Sequence, residues 1–433
     1  MTETPQGAAP EQLPAPDEAT YDDYEDYDSY DGYADGWDDF GGACCGSGCG
    51  SGCGSCCGSC GPPGLFWARA EYLLWWTRGM ETPPLVTTSP DGTPLSDAGR
   101  IGQPGTRILF GDENLFREVR SGARIRFGMW FDCCQTCGVE ADFLALGNNS
   151  EQFAARSEGG DPIVMRPFYN TETDANDAEI VGYPGVMEGA VGVDASSDFY
   201  SAGIRWRCNL CCQEIDCLPA CCGGGCFSYL PQGQTRVDFL FGYRYMQLDE
   251  DLTIGEDLNS LLPGTDTQFR LFDRFDTETE FHGIDLGLVY EYHRCRWSFE
   301  MLGRLAIGNN RQRVMVDGGT EITTDGIPEE FIGGIFAQRT NIGTYTRDRF
   351  AVIPEIGVTL GYRVTNKLRL TAGYTFIYWN SVIRPGKQID PVVNENLIPP
   401  EVVPFSGPLR PRFAFRESSF WAQWLNFGAQ LNF

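Results

Sequence analysis

The feature that most constrains this chain is a series of long segments in which apolar and polar side chains alternate. In FWARAEYLLWW, which starts at Phe66, Ala68 and Tyr72 share an apolar face, whereas Arg69 and Glu71 fall on the other face. A period of two predicts β-strands with one apolar side. The pattern recurs in the segments 122–132, 139–147, 198–210, 235–248, 280–292, 296–308, 350–363, 367–380 and 419–433.

These ten segments are longer than the five or six residues of an ordinary strand. Their length suits a tilted membrane crossing, which takes about 9–11 residues. The connections alternate between long (78–119, 148–197, 249–279, 309–349 and 381–418) and short (133–137, 293–295 and 364–366), with a Cys-rich connection at 211–234. Outer-membrane barrels have short periplasmic turns and long external loops. We therefore predict an all-β, antiparallel, up-and-down transmembrane barrel over residues 65–433, with both termini in the periplasm.

The number of strands is predicted as ten. FIGGIFAQ at 331–338 leaves room for one further pair, so twelve strands are the alternative. Aromatic residues near the strand ends are expected to form the girdles that mark the two membrane surfaces. These are Trp67, Trp75, Trp76, Trp130, Trp297, Tyr362, Tyr378 and Trp421.

The last strand, SFWAQWLNFGAQLNF, ends the chain on an aromatic residue, Phe433. A terminal amphipathic strand that ends in Phe resembles the signal that barrel-assembly machinery reads in bacterial outer-membrane proteins. We therefore expect Phe433 to act as an assembly signal and the barrel to have outer-membrane lipid as its surroundings.

Three stretches near the start of the barrel resemble a known family. RAEYLLWWTRGMETPPLVTTSP at 69–90, ILFGDENLF at 108–116 and RSGARIRFGMWFD at 120–132 are similar to the opening of the planctomycete-type β-barrel porins. The resemblance is specific over 69–147 and architectural beyond that point. It implies an outer-membrane barrel with a pore function, and it supplies no catalytic residues.

Composition excludes one class of partner and disfavours catalysis. The net charge of -28 argues against nucleic acid, because phosphate binding needs a cationic surface. The chain has two histidines: His282 is predicted to face outward and His293 to lie in a short turn. Neither position favours the converging groups of a hydrolase site. We therefore predict no enzyme activity, no cofactor and no metal requirement.

Residues 1–64 are predicted to be a disordered periplasmic leader. Its first part is acidic and rich in Tyr, and its second part consists of Cys, Gly and Ser, so it has too few apolar side chains for a core. The start MTETPQGAAPEQ does not resemble a signal peptide. Because the rest of the sequence implies export, we expect that a signal peptide has been removed or precedes Met1.

Parity places many charged side chains inside the barrel. Two hypotheses follow: a narrow, charge-lined lumen that passes small polar solutes, or a structural barrel closed by ion pairs across the lumen. The narrow bore of ten to twelve strands is compatible with both, because open channels have about sixteen strands. The predicted lumen-lining residues are Arg69, Glu71, Arg124, Arg126, Glu140, Asp142, Arg205, Arg207, Arg236, Asp238, Arg244, Asp285, Glu291, Glu300, Arg304, Glu355 and Arg369.

All the cysteines fall on the periplasmic side of this topology, and the external loops contain none. An oxidising periplasm favours disulfides, although spacings such as Cys134-x-x-Cys137 keep a zinc site as the alternative. We predict cross-links within the chain, to other copies or to cell-wall proteins. The candidates are Cys44, Cys45, Cys49, Cys53, Cys56, Cys57, Cys60, Cys133, Cys134, Cys137, Cys208, Cys211, Cys212, Cys217, Cys221, Cys222, Cys226 and Cys295.

Function is predicted as a porin-like outer-membrane barrel with passive passage of small polar solutes. The alternative is a closed structural barrel that periplasmic cysteines link into the cell envelope. The acidic connection 148–197 is expected to be a solvated external loop.

Overall fold

The computed structural model describes residues 64–132, 134–215, 233–264 and 266–433, and in this part of the chain ten long strands close into a ring. Strands are numbered β1 to β18 along the chain. The ring consists of β1 (Phe66–Thr77), β6 (Arg120–Trp130), β7 (Cys137–Ser157), β10 (Met187–Ile215), β11 (Gly233–Ser260), β12 (Thr267–Arg294), β13 (Trp297–Thr324), β15 (Gly343–Arg363), β16 (Leu368–Ile383) and β18 (Glu417–Asn432).

Every neighbouring pair in the ring is antiparallel. The first and last strands close it, with Trp67 opposite Asn432 and Thr77 opposite Ala422. All-β fold and up-and-down order are confirmed, and the ring has ten strands. The alternative of twelve is wrong, because the segment around 331–338 contributes only the end of β14 (Ile327–Ile332), which pairs with the far end of β13 outside the ring.

The remaining elements lie in the long connections. They are β2 (Met80–Glu81), β3 (Val86–Ser89), β4 (Arg107–Phe110), β5 (Asn114–Leu115), β8 (Ile163–Asn170), β9 (Ala175–Gly182), β17 (Val392–Val393), the one-turn helix α1 (Pro385–Gln388) and a 3-10 turn (Glu395–Leu397). Among the described residues, no helix has the length and apolar character to cross a membrane.

A belt of exposed apolar side chains surrounds one half of the ring, and all ten strands contribute to it. On β13 it runs from Trp297 to Leu305, which matches the roughly 9–11 residues of a tilted crossing. Beyond this belt the outer face becomes charged, as at Arg311 and Arg313. Six of the strands continue well past the belt, so much of what the sequence predicted as long loops is an extension of the barrel wall.

The predicted aromatic girdle is wrong at three positions. Trp67, Trp75 and Trp130 are buried inside the barrel. Trp67 and Trp75 have the same parity as Arg69, and Trp130 has the same parity as Arg126, so alternation directs them inward although they lie near strand ends. Trp297 and Tyr378 do lie on the outer face.

Inside the ring, an apolar layer lies beyond the charged residues. It is built only from inward-facing wall side chains, including Leu73, Met246, Phe281, Trp379 and Trp424. Rings from distant strands meet in it: the Phe199 and Phe420 centroids are 5.2 Å apart, and those of Phe281 and Trp379 are 6.4 Å apart. Side chains of opposite parts of the wall therefore contact each other at this level.

The far end of the barrel is filled by the connections. Strands β17, β8, β3 and β4 form a sheet in that order, and β9 pairs with β8. We call these five strands the plug sheet. Its buried residues Val86, Val164 and Phe168 share one core with Ile254 and Phe275 of the wall. The two ends of the barrel are thus filled in different ways, by charged wall residues at one end and by an apolar sheet at the other.

Truncation of Trp379 tests the apolar layer. The side chain is fully buried, and its indole N–H donates to Asn310 Oδ1 at 2.9 Å. Trp379→Ala should lower the free energy of unfolding by about 3–5 kcal/mol, the usual cost of a large cavity in a packed core. Urea unfolding in detergent micelles measures this value, with Tyr378→Ala on the outer face as the matched control. Equal losses in the two variants would contradict a packed layer at this position.

Candidate functional site

The seventeen charged residues singled out from the sequence lie on the inner face of nine of the ten barrel strands, and none has more than 9% of its surface exposed. They form two tiers. The mouth tier, at the barrel end that carries Gly64 and Asn432, contains Arg69, Glu71, Arg124, Arg126, Arg207, Arg236, Asp238, Glu291, Glu300 and Arg369. The deep tier, next to the apolar layer, contains Asp142, Arg205, Arg244, Asp285, Arg304 and Glu355, and Glu140 lies between the two tiers, 3.5 Å from Arg205 and 3.6 Å from Arg207.

Ion pairs in the mouth tier connect strands across the lumen. The Arg69 guanidinium donates to both oxygens of Glu300 at 3.2 and 2.8 Å, which joins β1 to β13. Arg124 donates to Glu71 at 2.5 Å. Arg207 donates to Glu291 at 2.6 Å and to Asp238 at 2.7 Å. Such pairs offset much of the cost of removing charges from water.

The deep tier is also cross-connected. Arg304 donates to Glu355 at 2.5 Å, and Arg244 lies 2.7 Å from the other oxygen of the same carboxylate. Arg205 donates to Asp285 at 2.5 Å and contacts Asp142. Removal of one partner from a buried pair typically costs 3–5 kcal/mol because the other charge stays behind unpaired. The tier therefore stabilises one arrangement of the strands that it joins.

Two arginines that the sequence analysis did not single out hold the connections against the wall. Arg166 of β8 is fully buried and donates to Glu256 at 2.5 Å and to Asp273 at 2.8 Å, both on wall strands. Arg384, just before α1, donates to the two oxygens of Glu250 at 2.8 and 2.5 Å. Arg166 was assigned to a solvated loop, and that assignment is wrong because β8 enters the barrel core. The signal in the sequence was the apolar run around it, IVMRPF.

The two histidines lie apart. His282 is exposed on the outer face, where its Nδ1 is 2.5 Å from the Tyr243 hydroxyl. His293 Nε2 is 2.8 Å from Glu291 at the mouth end. Within the described residues, no group of three or more His, Cys, Asp or Glu side chains is arranged to hold a metal ion.

The described cysteines all lie at the barrel end that carries Gly64 and Phe433. Cys137 and Cys208 form a disulfide between the adjacent strands β7 and β10. Cys212 is also disulfide-bonded, and Cys295 is an exposed thiol in the turn between β12 and β13. Cys134 and Cys211 are half-buried at this end. The other candidates, Cys44, Cys45, Cys49, Cys53, Cys56, Cys57, Cys60, Cys133, Cys217, Cys221, Cys222 and Cys226, lie outside the described residues.

Comparison with known proteins assigns the chain to a family. A model of the family described as Putative beta barrel porin-7 (BBP7) matches residues 67–433. The chain belongs to this family. The match confirms the resemblance noted at 69–147 and extends it to the C-terminus, and it makes the protein an outer-membrane β-barrel. No curated protein matches the chain.

Solved outer-membrane barrels resemble this BBP7 protein only weakly. The outer membrane protease OmpT from Escherichia coli is 8% identical, with 86% of this chain and 97% of that chain covered and a TM-score of 0.35. A Pseudomonas aeruginosa FadL homologue is 8% identical, with 86% and 90% covered and a TM-score of 0.21. These values are too low for either protein's activity to bear on this chain.

A half-buried acid in the plug sheet leads to a pH prediction. Burial, together with the nearby carboxylates of Glu256 and Glu395, raises the pKa of the Glu179 side chain to about 7. An acid with a raised pKa binds its proton more tightly in the folded state. Its contribution to stability is therefore complete below its ordinary pKa of about 4.5 and is lost as pH rises through about 7.

Glu179→Gln should remove this dependence. The variant is expected to be more stable than the parent at about pH 8 and to lose the decline in stability between about pH 5 and 7. Thermal unfolding across this range measures the effect, with Glu158→Gln at an exposed position as the control. A decline of equal size in the Glu179 variant and the parent would refute the assignment.

Proposed function

We propose that this BBP7 protein is a closed outer-membrane barrel with a structural role in the envelope. One observation carries the proposal: aromatic side chains of the wall itself meet across the lumen. Phe199 of β10 contacts both Trp379 of β16 and Phe420 of β18, with ring centroids 6.3 and 5.2 Å apart. A ten-stranded ring is narrow enough for such contacts, since eight strands are just filled by side chains.

The layers on both sides support the same proposal. A solute that entered from the mouth would have to separate buried ion pairs, then the apolar layer, and then the plug sheet. Each step exposes unpaired charge or apolar surface, and neither is compensated by a small polar solute. The interior is thus built for stability, and the barrel serves as a base for the ordered β-structure beyond the membrane.

Orientation is part of the proposal. The short turns that follow β6, β12 and β15 lie at the barrel end that carries Gly64 and Phe433, and the extended strands and plug sheet lie at the opposite end. Short turns face the periplasm in outer-membrane barrels. We therefore place both ends of the barrel domain in the periplasm and the plug sheet on the outside.

A second candidate is passive passage of small polar solutes through the charge-lined lumen, as first predicted. The family match favours it, because the family is described as one of porins. It requires that the plug sheet leaves the barrel and that the apolar layer opens.

Liposome swelling distinguishes the two candidates. Liposomes that contain the full chain should not swell in isotonic arabinose, because the apolar layer blocks the lumen. Loss of the plug sheet's buried anchor by Arg166→Gln should not change this result, since the wall closes the barrel without the plug. Swelling with the parent protein would contradict the structural proposal and support passage.

Cysteine cross-linking is the means of attachment that we propose for the structural role. The disulfide between Cys137 and Cys208 is consistent with an oxidising surrounding, and the exposed Cys295 thiol offers a point of attachment at the same end. Non-reducing gels of alkylated envelopes should show high-mass species that reductant dissociates. Replacement of the seven cysteines between 44 and 60 with Ser should remove most of them, whereas Cys295→Ser alone should remove few. A wholly monomeric parent protein would defeat the cross-linking proposal.

Assembly machinery is the other partner that we propose. The Phe433 ring is 59% exposed and stacks on Phe66 at 6.3 Å, so it is accessible at the barrel end. Deletion of Phe433 should reduce the amount of barrel in the membrane of growing cells several-fold, but should hardly change the unfolding of barrel refolded in detergent. Phe66→Ala is the matched control, because it removes the same ring contact and keeps the terminal residue. Normal membrane levels of the deletion variant would argue against recognition of Phe433.

A further inference from the structure

A small cavity opens at the mouth end of the lumen, among the residues of the mouth tier. Its volume is about 30 Å³, and its lining includes Trp130, Arg126, Arg369, Glu291 and Glu300. A cavity needs roughly 10–15 Å³ for one water molecule, so this space admits a small ion rather than a sugar or a nucleotide. The chemistry of the lining therefore decides which ion it suits.

Positive charge is in excess around this cavity. Its lining contains five arginines (Arg69, Arg126, Arg207, Arg236 and Arg369) and two carboxylates (Glu291 and Glu300). The two carboxylates in the cavity lining are already engaged, Glu300 by Arg69 at 2.8 Å and Glu291 by Arg207 at 2.6 Å. Arg236 has Asp238 at 2.7 Å, whereas the nearest acids to Arg126 and Arg369 are 3.4 and 3.8 Å away.

Arg369 shows the imbalance most clearly. It is 7% exposed and donates to Ser298 Oγ at 3.2 Å and to Gln430 Oε1 at 2.6 Å, both neutral groups. Its nearest carboxylate contact is Glu300 at 3.8 Å. Its Nε has no hydrogen-bond partner. A buried guanidinium normally has a carboxylate or phosphate within hydrogen-bond distance.

Arg126 repeats the situation on the other side of Glu300. It is 8% exposed, contacts Glu71 at 3.4 Å and lies 3.7 Å from Glu300, and its Nε also has no partner. Both guanidinium groups thus lie beside Glu300, which already pairs with Arg69. An unmet N–H on a buried charged group costs free energy that an added acceptor would recover.

We propose that this cavity is a binding site for a small tetrahedral oxyanion such as inorganic phosphate, held by Arg126 and Arg369. The planar guanidinium fork matches the oxygen spacing of phosphate and donates two hydrogen bonds to it. Bound phosphate would supply the close acceptor that Arg126 and Arg369 lack. The proposal goes beyond the structural role, and it holds whether or not the lumen conducts.

Calorimetric titration of the full chain in detergent micelles with sodium phosphate, against sodium chloride at equal ionic strength, tests the proposal. We expect saturable binding of phosphate and an unfolding temperature that rises with phosphate concentration. Arg369→Gln and Arg126→Gln should each weaken phosphate binding at least about tenfold, the loss expected for one charge-assisted contact of about 1.4 kcal/mol or more.

Arg244→Gln is the matched control, because Arg244 is an equally buried arginine of the deep tier that pairs with Glu355. It should lower stability and leave phosphate affinity unchanged. Arg369→Lys keeps the charge without the fork and should bind with intermediate affinity, so it tests the site even if a Gln variant does not fold. Identical responses to phosphate and chloride in the parent protein would overturn the proposal, as would full phosphate affinity in the Arg369 variants.

Discussion

In the hydrocarbon region of a membrane a backbone N–H or C=O group has no water to bond to, so a spanning sheet must close on itself. In this protein the closure joins β1 to β18, with residues 67–77 opposite 422–432. The rest of the structure depends on it. Ten strands give a narrow ring. Because side chains alternate between the two faces of a strand, every second side chain points into this ring, and these side chains fill its interior.

The filling changes with distance along the barrel. At the mouth end the inward positions are charged, and they are stable there because Arg69, Arg124 and Arg207 each have a carboxylate within hydrogen-bond distance. Farther along the same strands the inward positions are aromatic and aliphatic, and they pack against one another. Beyond the membrane the wall encloses the plug sheet, which Arg166 fixes to wall carboxylates, and Arg384 does the same for the connection before β17. In each layer, side chains of a different kind fill the inside of the ring.

Much of this could be predicted from alternation alone, because the period of two is local. It gave the ten strands and the inward direction of residues such as Arg205 and Asp285. The girdle prediction failed for Trp67 and Trp130 because it considered only their position near strand ends. Their parity is that of the inward-facing arginines, and it correctly indicates that both side chains face the lumen. The plug sheet could not be predicted, because β8 and β17 lie far apart in the chain and pair only inside the barrel. The partners of Arg166 are equally distant in sequence, so no spacing indicated them. The neutral partners of Arg369 and the distance to its nearest acid were likewise visible only in three dimensions.

The central claim is that the wall of this barrel closes its own lumen. Single-channel recording of the full chain in planar bilayers, in concentrated potassium chloride and over a range of voltages, tests it most directly, since ions are the smallest solutes that a pore would pass. The account predicts no stepwise current from the parent protein at any voltage that leaves the bilayer intact. Regular conductance steps from the folded protein would contradict the account, provided that they disappear when the same sample is denatured by heat.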